Sequence, residues 1–215
     1  RNLKSKDFVD NVLIKQLDLK KVDLGQGQST WIIKNPNKTG RWFIQHTGLT
    51  SWNYYISFNT NTGETNASGN GSMSDPTDSV FYTNWTEGSN ESPYNHIAYC
   101  WHSVDGFSSF GRYAGSGNST KGSYIHCGFR PKFVWIKKSS GSSTTYGWPV
   151  FIDEVNDNMN KAQFKNFWTD TYAGAGNNYS LEFLSNGFRH RNANANLDAS
   201  GSDYIYMAWA DVPSK

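Results

Sequence analysis

The stretch Asn95-His-Ile-Ala-Tyr-Cys-Trp-His-Ser-Val104 decides how this chain is read. Ile97, Tyr99 and Trp101 recur at a period of two on one face, with Ala98 and Cys100 on the other. A run apolar on both faces, too short for a buried helix, describes a strand in the middle of a sheet. The pattern returns near the C-terminus as Asp203-Tyr-Ile-Tyr-Met-Ala-Trp-Ala-Asp-Val212.

Working outward, three more elements recur in the same order. Trp31-Ile-Ile-Lys34 is answered by Phe133-Val-Trp-Ile-Lys137, and Gly40-Arg-Trp-Phe-Ile-Gln-His46 by Tyr146-Gly-Trp-Pro-Val-Phe-Ile-Asp153. Ser79-Val-Phe-Tyr-Thr-Asn84 is answered by Leu181-Glu-Phe-Leu-Ser-Asn-Gly-Phe188. The offsets run from about 102 to 108 residues, which reads as a tandem duplication. Two copies are too few for a solenoid. They suit an all-β fold, an antiparallel β-sandwich of jelly-roll or concanavalin-like form, in which each half adds strands to a shared core. The division is then an N-terminal arm or connector at 1–28, a first half-repeat at 29–114 and a second at 115–215, with 29–215 forming one compact unit.

Local signals fill in this outline. The turn Asn35-Pro-Asn-Lys-Thr-Gly40 between Trp31–Lys34 and Arg41–His46 is the clearest hairpin. Asn186-Gly187 suits a two-residue hairpin turn, because both residue types tolerate positive φ. One helix is expected over 156–168, capped by Asn156 or Asp157, with Ala162, Phe164, Phe167 and Trp168 on its apolar stripe.

Composition agrees with strands and loops. Asn (23), Ser (25) and Gly (20) supply turn residues throughout, and aromatics reach 16% of 215 residues. With 20 Lys+Arg against 18 Asp+Glu the net charge is only +2, which argues against a binder of nucleic-acid backbone. No apolar run is long enough to span a membrane as a helix, and Arg1-Asn-Leu-Lys-Ser5 has no h-region of a secretory leader. Cys100 and Cys127 are expected to be reduced thiols rather than a disulfide framework.

The segment Tyr94–Tyr113 resembles a domain of unknown function found in virion proteins of marine bacteriophages. So do Gly115-Ser-Gly-Asn118, Gly128-Phe-Arg-Pro-Lys-Phe-Val-Trp-Ile-Lys137, Phe183-Leu-Ser-Asn-Gly-Phe188 and the ending Tyr204–Lys215. These blocks cover residues 30–215 in order. The resemblance implies a structural protein of the virion surface, made in the host cytoplasm. Its partners would be other virion subunits and copies of itself, the trimer being the usual form of phage appendages. It brings no catalytic residues.

Residue chemistry adds little to suggest an enzyme. There is no His-x-x-x-His, Gly-x-Ser-x-Gly or Cys-x-x-Cys motif, so zinc-hydrolase, serine-hydrolase and redox signatures are missing. Gly115-Ser-Gly-Asn-Ser-Thr-Lys121 lacks the Gly-Lys-Ser/Thr ending of a phosphate loop. Asp153, Glu154, Asn156, Asp157 and Asn158 are oxygen-rich but do not follow an EF-hand spacing, so a solvated loop is expected. Glu87, Glu91, Asp105 and Asp153 are the carboxylates to consider for glycosidic cleavage, and nothing pairs them. Arg189-His-Arg-Asn192 reads as a small basic turn. No cofactor and no metal are expected.

Aromatics beside Asn and Asp remain the one lead, since ring stacking on sugars with polar groups on the hydroxyls uses those ingredients. Trp52, Tyr54, Tyr55, Trp85, Trp168 and Tyr172 are the candidates for contact with a host-surface glycan. The reading is a non-enzymatic virion protein, an exposed fibre or adhesin module. The alternative is an architectural head-decoration or tail-associated protein that binds only other virion subunits.

Overall fold

Strands account for the regular structure, and no α-helix occurs among the described residues. The computed structural model describes residues 12–15, 22–23, 30–68, 74–77, 80–83, 89–91, 93–141, 148–153, 162–163, 167–168 and 181–212. The chain divides into two compact units.

The first unit comprises Arg1–Phe58 and Glu64–His102. Its strands are β1 (Val12–Lys15), β2 (Val22–Asp23), β3 (Thr30–Lys34), β4 (Phe43–His46), β5 (Tyr54–Ser57), β6 (Thr65–Asn66), β7 (Val80–Phe81) and β8 (His96–Trp101). Six of them form an antiparallel sheet ordered β1-β8-β3-β4-β5-β6, and β2 pairs with β7. The period-two reading of the decisive stretch holds, because His96, Ala98 and Cys100 are buried while Ile97, Tyr99 and Trp101 are half-buried. Trp31, Ile33, Phe81, Ala98 and Cys100 pack as one core with Trp52 against it. Trp31 Nε1 donates to Gln45 Oε1 across the expected β3–β4 hairpin (2.8 Å), so the indole enters the core without an orphaned donor.

The second unit comprises Asn59–Gly63 and Ser103–Lys215. It contains β9 (Ser108–Ala114), β10 (Tyr124–His126), β11 (Phe133–Ser140), β12 (Pro149–Ile152), β13 (Ala162–Gln163), β14 (Phe167–Trp168), β15 (Leu181–Leu184), β16 (Gly187–His190) and β17 (Asp203–Trp209). One sheet is ordered β14-β12-β11-β17-β9 and the other β10-β16-β15-β13. Val134, Ile136, Phe151, Tyr204, Tyr206 and Ala208 from the first sheet pack with Ile125, Leu181, Phe183 and Phe188 from the second. Two antiparallel sheets sharing one buried layer make a β-sandwich.

The duplication is preserved down to register. The order β1-β8-β3-β4-β5 matches β9-β17-β11-β12-β14. Trp31 faces Cys100 as Val134 faces Ala208, offsets of 134 − 31 = 103 and 208 − 100 = 108. Ile32 faces Ile44 as Trp135 faces Val150, and Val12 faces Tyr99 as Phe110 faces Met207. The repeat therefore runs from β1 to β8 and again from β9 to β17. Ser108–Ala114, which the sequence assigned to the end of the first half, pairs with β17 as β1 pairs with β8, so β1 in the N-terminal arm is the counterpart of β9. The described core clusters are each drawn from a single unit, not from both halves.

Two local expectations change. Within the stretch expected to be helical, Ala162–Gln163 pairs with β15 and Phe167–Trp168 with β12. Phe167 faces Val150 where Ile56 faces Ile44 in the first unit, so sheet pairing overrides the local apolar stripe. Asn156 and Asp157, the expected caps, lie outside the described residues. The β15–β16 hairpin pairs Leu184 with Gly187, so its two-residue turn is Ser185-Asn186, one position earlier than expected. Gly187 is a strand residue whose missing side chain admits β10, since a Cβ there would sit 2.0 Å from the Ile125 carbonyl oxygen.

Candidate functional site

Alternation along β10 and β16 sends Ile125 and Phe188 into the sandwich core and leaves Tyr124, His126 and Arg189 on the outer face. The antiparallel register sets Tyr124 opposite Arg189, and Arg189 opposite Glu182 of β15. Tyr124 is 43% exposed, a high value for an aromatic ring in a sheet. Its hydroxyl donates to Asn186 Oδ1 (2.8 Å) and lies 3.2 Å from His126 Nδ1. With the phenol proton given to Asn186, the second bond forms only when Nδ1 of His126 carries a proton. The Arg189 guanidinium lies over the ring, 5.9 Å from its centroid. The Asn186 carbonyl accepts the amides of Cys127 (2.9 Å) and Gly128 (3.2 Å), so the turn that carries Asn186 is itself anchored. Gly128 takes φ 81°, a conformation L side chains rarely adopt.

The result is a pre-positioned aromatic face rimmed by an amide, an imidazole and a guanidinium. Such a face supplies apolar contact to a sugar ring and hydrogen bonds to its hydroxyls. None of these residues was a glycan candidate in the sequence, where Arg189 stood only in a basic turn. The available signal was the polar–apolar alternation of Tyr124-Ile-His126 and of Gly187-Phe-Arg-His190. What it lacked was the pairing of strands whose Tyr124 and Asn186 stand 62 residues apart.

A second cluster is buried under the same sheet. Asp198, fully buried, accepts from Ser116 N (2.8 Å), Ser116 Oγ (2.7 Å), Ser123 N (3.0 Å) and Ser123 Oγ (2.6 Å). These bonds pin the glycine-rich segment 115–123. The amides of Asn118, Thr120 and Lys121 bond to Ser116 Oγ or Asn118 Oδ1, so those a phosphate would need are already used. Nearby, Tyr113 stacks on Tyr204 at 5.1 Å and gives its hydroxyl proton to the Leu197 carbonyl (2.7 Å). Burial first, then the neighbouring Tyr204 and Asp198, hold the Tyr113 phenol well above its ordinary range. Burial lowers His190 to about 4 despite the opposing pull of Asp198. The fully buried Asp198 carboxylate is thus committed to four hydrogen bonds that hold Ser116 and Ser123 in place.

Other acidic groups are similarly committed. Asp153 pairs with Arg130 (2.9 Å), and its carbonyl accepts from Lys132 Nζ. Glu91 pairs with Lys38 (2.7 Å) and Glu182 with Arg191 (3.3 Å). Asp203, held below the ordinary carboxylate range chiefly by the Arg112 hydrogen bond, also accepts from Ser140. Among the described residues no group of three or more His, Cys, Asp or Glu could hold a metal ion. Glu87, Glu154 and Asn156 to Asn158 lie outside them.

Of the six expected glycan residues, Trp52, Tyr54, Tyr55 and Trp168 lie among the described residues. Trp52 stacks on Trp31 at 4.9 Å with planes 9° apart, and its carbonyl accepts from Gln45 Nε2 (2.8 Å). Tyr55 is 5% exposed against Phe43, and its hydroxyl accepts from Arg41 Nη1 (2.8 Å). Its ring is therefore a core ring, not a sugar platform, because the apolar face that a ligand would use is spent on Phe43. Tyr54 is half-buried on β5. Trp168 is placed by its backbone pairing with Pro149 alone. Trp85 and Tyr172 lie outside the described residues.

Comparison with known families gives a match to the family described as Domain of unknown function (DUF7483), over residues 21–213. The chain belongs to that family. The match starts before residue 30, where the residue-level resemblance began, and so includes β2. No curated protein and no solved structure matches the chain.

Proposed function

We propose that this chain, as a member of a family of unknown function, is a non-enzymatic module of a phage virion, of fibre or adhesin type, that contacts surface saccharides through Tyr124. The observation that carries the reading is an exposed ring on a sheet, its hydroxyl fixed by Asn186 at 2.8 Å. A platform already held in place costs little ordering entropy when a ligand binds. The virion setting rests on the blocks from Tyr94 to the C-terminus that resemble phage proteins. The committed state of Asp153, Asp198, Asp203, Glu91 and Glu182 supports binding over hydrolysis.

The test is saturable binding of the purified chain to host cells and to a panel of polysaccharides. Tyr124→Ala is expected to weaken binding at least tenfold while tryptophan fluorescence of the fold is unchanged. Full binding by Tyr124→Ala would remove the platform from the account.

One observation favours the architectural alternative. The outer face of the five-stranded sheet carries half-buried Phe133, Trp135 and Trp209 beside exposed Ile152, with Phe133 and Trp209 5.4 Å apart. Such a row suits contact between copies. A stable oligomer that binds no saccharide, and that Trp209→Ser dissociates, would establish that reading instead.

A further inference from the structure

We infer that the Tyr124 platform selects acidic saccharides, with Arg189 as the group that grips the acid; this rests on the saccharide reading above. Arg189 has a carboxylate directly opposite in register, Glu182. Yet the ion pair of Glu182 is made with Arg191, at 3.3 Å. Among the described residues Arg189 has no carboxylate partner, and its guanidinium lies over the ring of Tyr124. A guanidinium left without an anion beside an exposed ring presents a planar fork of N–H donors, the geometry that fits a carboxylate or a sulfate in two parallel bonds.

The neighbouring groups fit the rest of such a ligand. Asn186 uses its Oδ1 on Tyr124 and keeps its Nδ2 protons for a hydroxyl. His126 and Asn186 are both exposed and both meet the Tyr124 hydroxyl. Among the described residues the two arginines against the single Glu182 leave this face positive by one charge, counted as 2 − 1. A uronate and a sulfated sugar share the chemistry of one anionic group fixed to a pyranose. The Tyr124 ring would take the sugar face and Arg189 the acid.

The experiment compares three polymers on the full-length chain: polygalacturonate for the carboxylate, dextran sulfate for the sulfate, and dextran as the neutral control. Binding is read by affinity electrophoresis at fixed ionic strength. The wild-type chain is expected to bind at least one acidic polymer at least tenfold more tightly than dextran. Arg189→Gln should remove that preference, while Lys121→Gln, the same charge change at another exposed site, should not. Which acidic polymer responds identifies the acid. Equal losses in Arg189→Gln and Lys121→Gln would reduce the effect to net charge and overturn the inference. Dextran bound as well as the acidic polymers would also overturn it while leaving the saccharide reading standing. Failure to bind host cells or any polysaccharide would remove both.

Discussion

His190 is fully buried between Tyr113 (5.3 Å) and Phe188 (5.8 Å), and neither ring nitrogen has a hydrogen-bond partner among the described residues. Burial disfavours the imidazolium, so its pKa falls to about 4 from an ordinary 6.5, with Asp198 pulling the other way. A base whose folded pKa is lowered takes up its proton more readily when unfolded. Its contribution is therefore complete above about pH 6.5 and is lost as the pH falls towards 4, where it levels off. A shift of that size corresponds to about 3 kcal/mol. Urea midpoints measured from pH 8 to pH 4 are expected to fall in that window. His190→Phe, which keeps an aromatic between its neighbours, should flatten the curve. An unchanged slope would place the acid sensitivity elsewhere, with His96 and His102 as the next candidates because burial lowers both of them too. From the sequence His190 looked like part of a solvated basic turn. Alternation on β16 sends it inward, and only pairing with β10 and β15 fixes which parity is inward.

At the level of elements, the repeat was legible and its boundaries were not. Repeated apolar strands betray themselves by residue type, whereas edge strands such as β1 and β2 carry weaker patterns and are recognised by their partners. β1 pairs with β8 through four residue pairs, Val12↔Tyr99 to Lys15↔His96, in the place that β9 occupies beside β17. Removing residues 1–24 is therefore expected to weaken the first unit, because it strips the edge of β8 and unpairs β7. The Cys100 thiol, 3% exposed on β8, reports this. Its labelling by a disulfide reagent should accelerate at least tenfold in the truncated chain, while that of Cys127 stays as in the full chain. Unaltered protection of Cys100 would make the arm a connector without a structural share. The helix expected over 156–168 failed for the complementary reason. Phe167 and Trp168 satisfy a helical stripe locally, but their counterparts Ile56 and Ser57 already lie in a strand.

Across the whole molecule the two thiols offer one reporter for each unit, Cys100 in the first and Cys127 in the second. Both are free. Burial pushes the Cys100 thiol up, and burial also pushes that of Cys127 to about 12 although Ser109 opposes it. Since the thiolate is the reactive form, both should be nearly inert at pH 8 in the native chain and both should react on unfolding. Rapid reaction of either in the native chain would contradict the packing described. The sequence by itself determined the all-β class, the duplication, the β3–β4 hairpin and the alternating faces of β8, because residue type and period two act over a few neighbouring positions. Tertiary structure decided where each repeat begins, that each unit has its own core, and that Tyr124, Asn186 and Arg189 meet. Those outcomes depend on which distant strands pair and in what register, and pairing energy is realised only when segments some sixty residues apart come into contact.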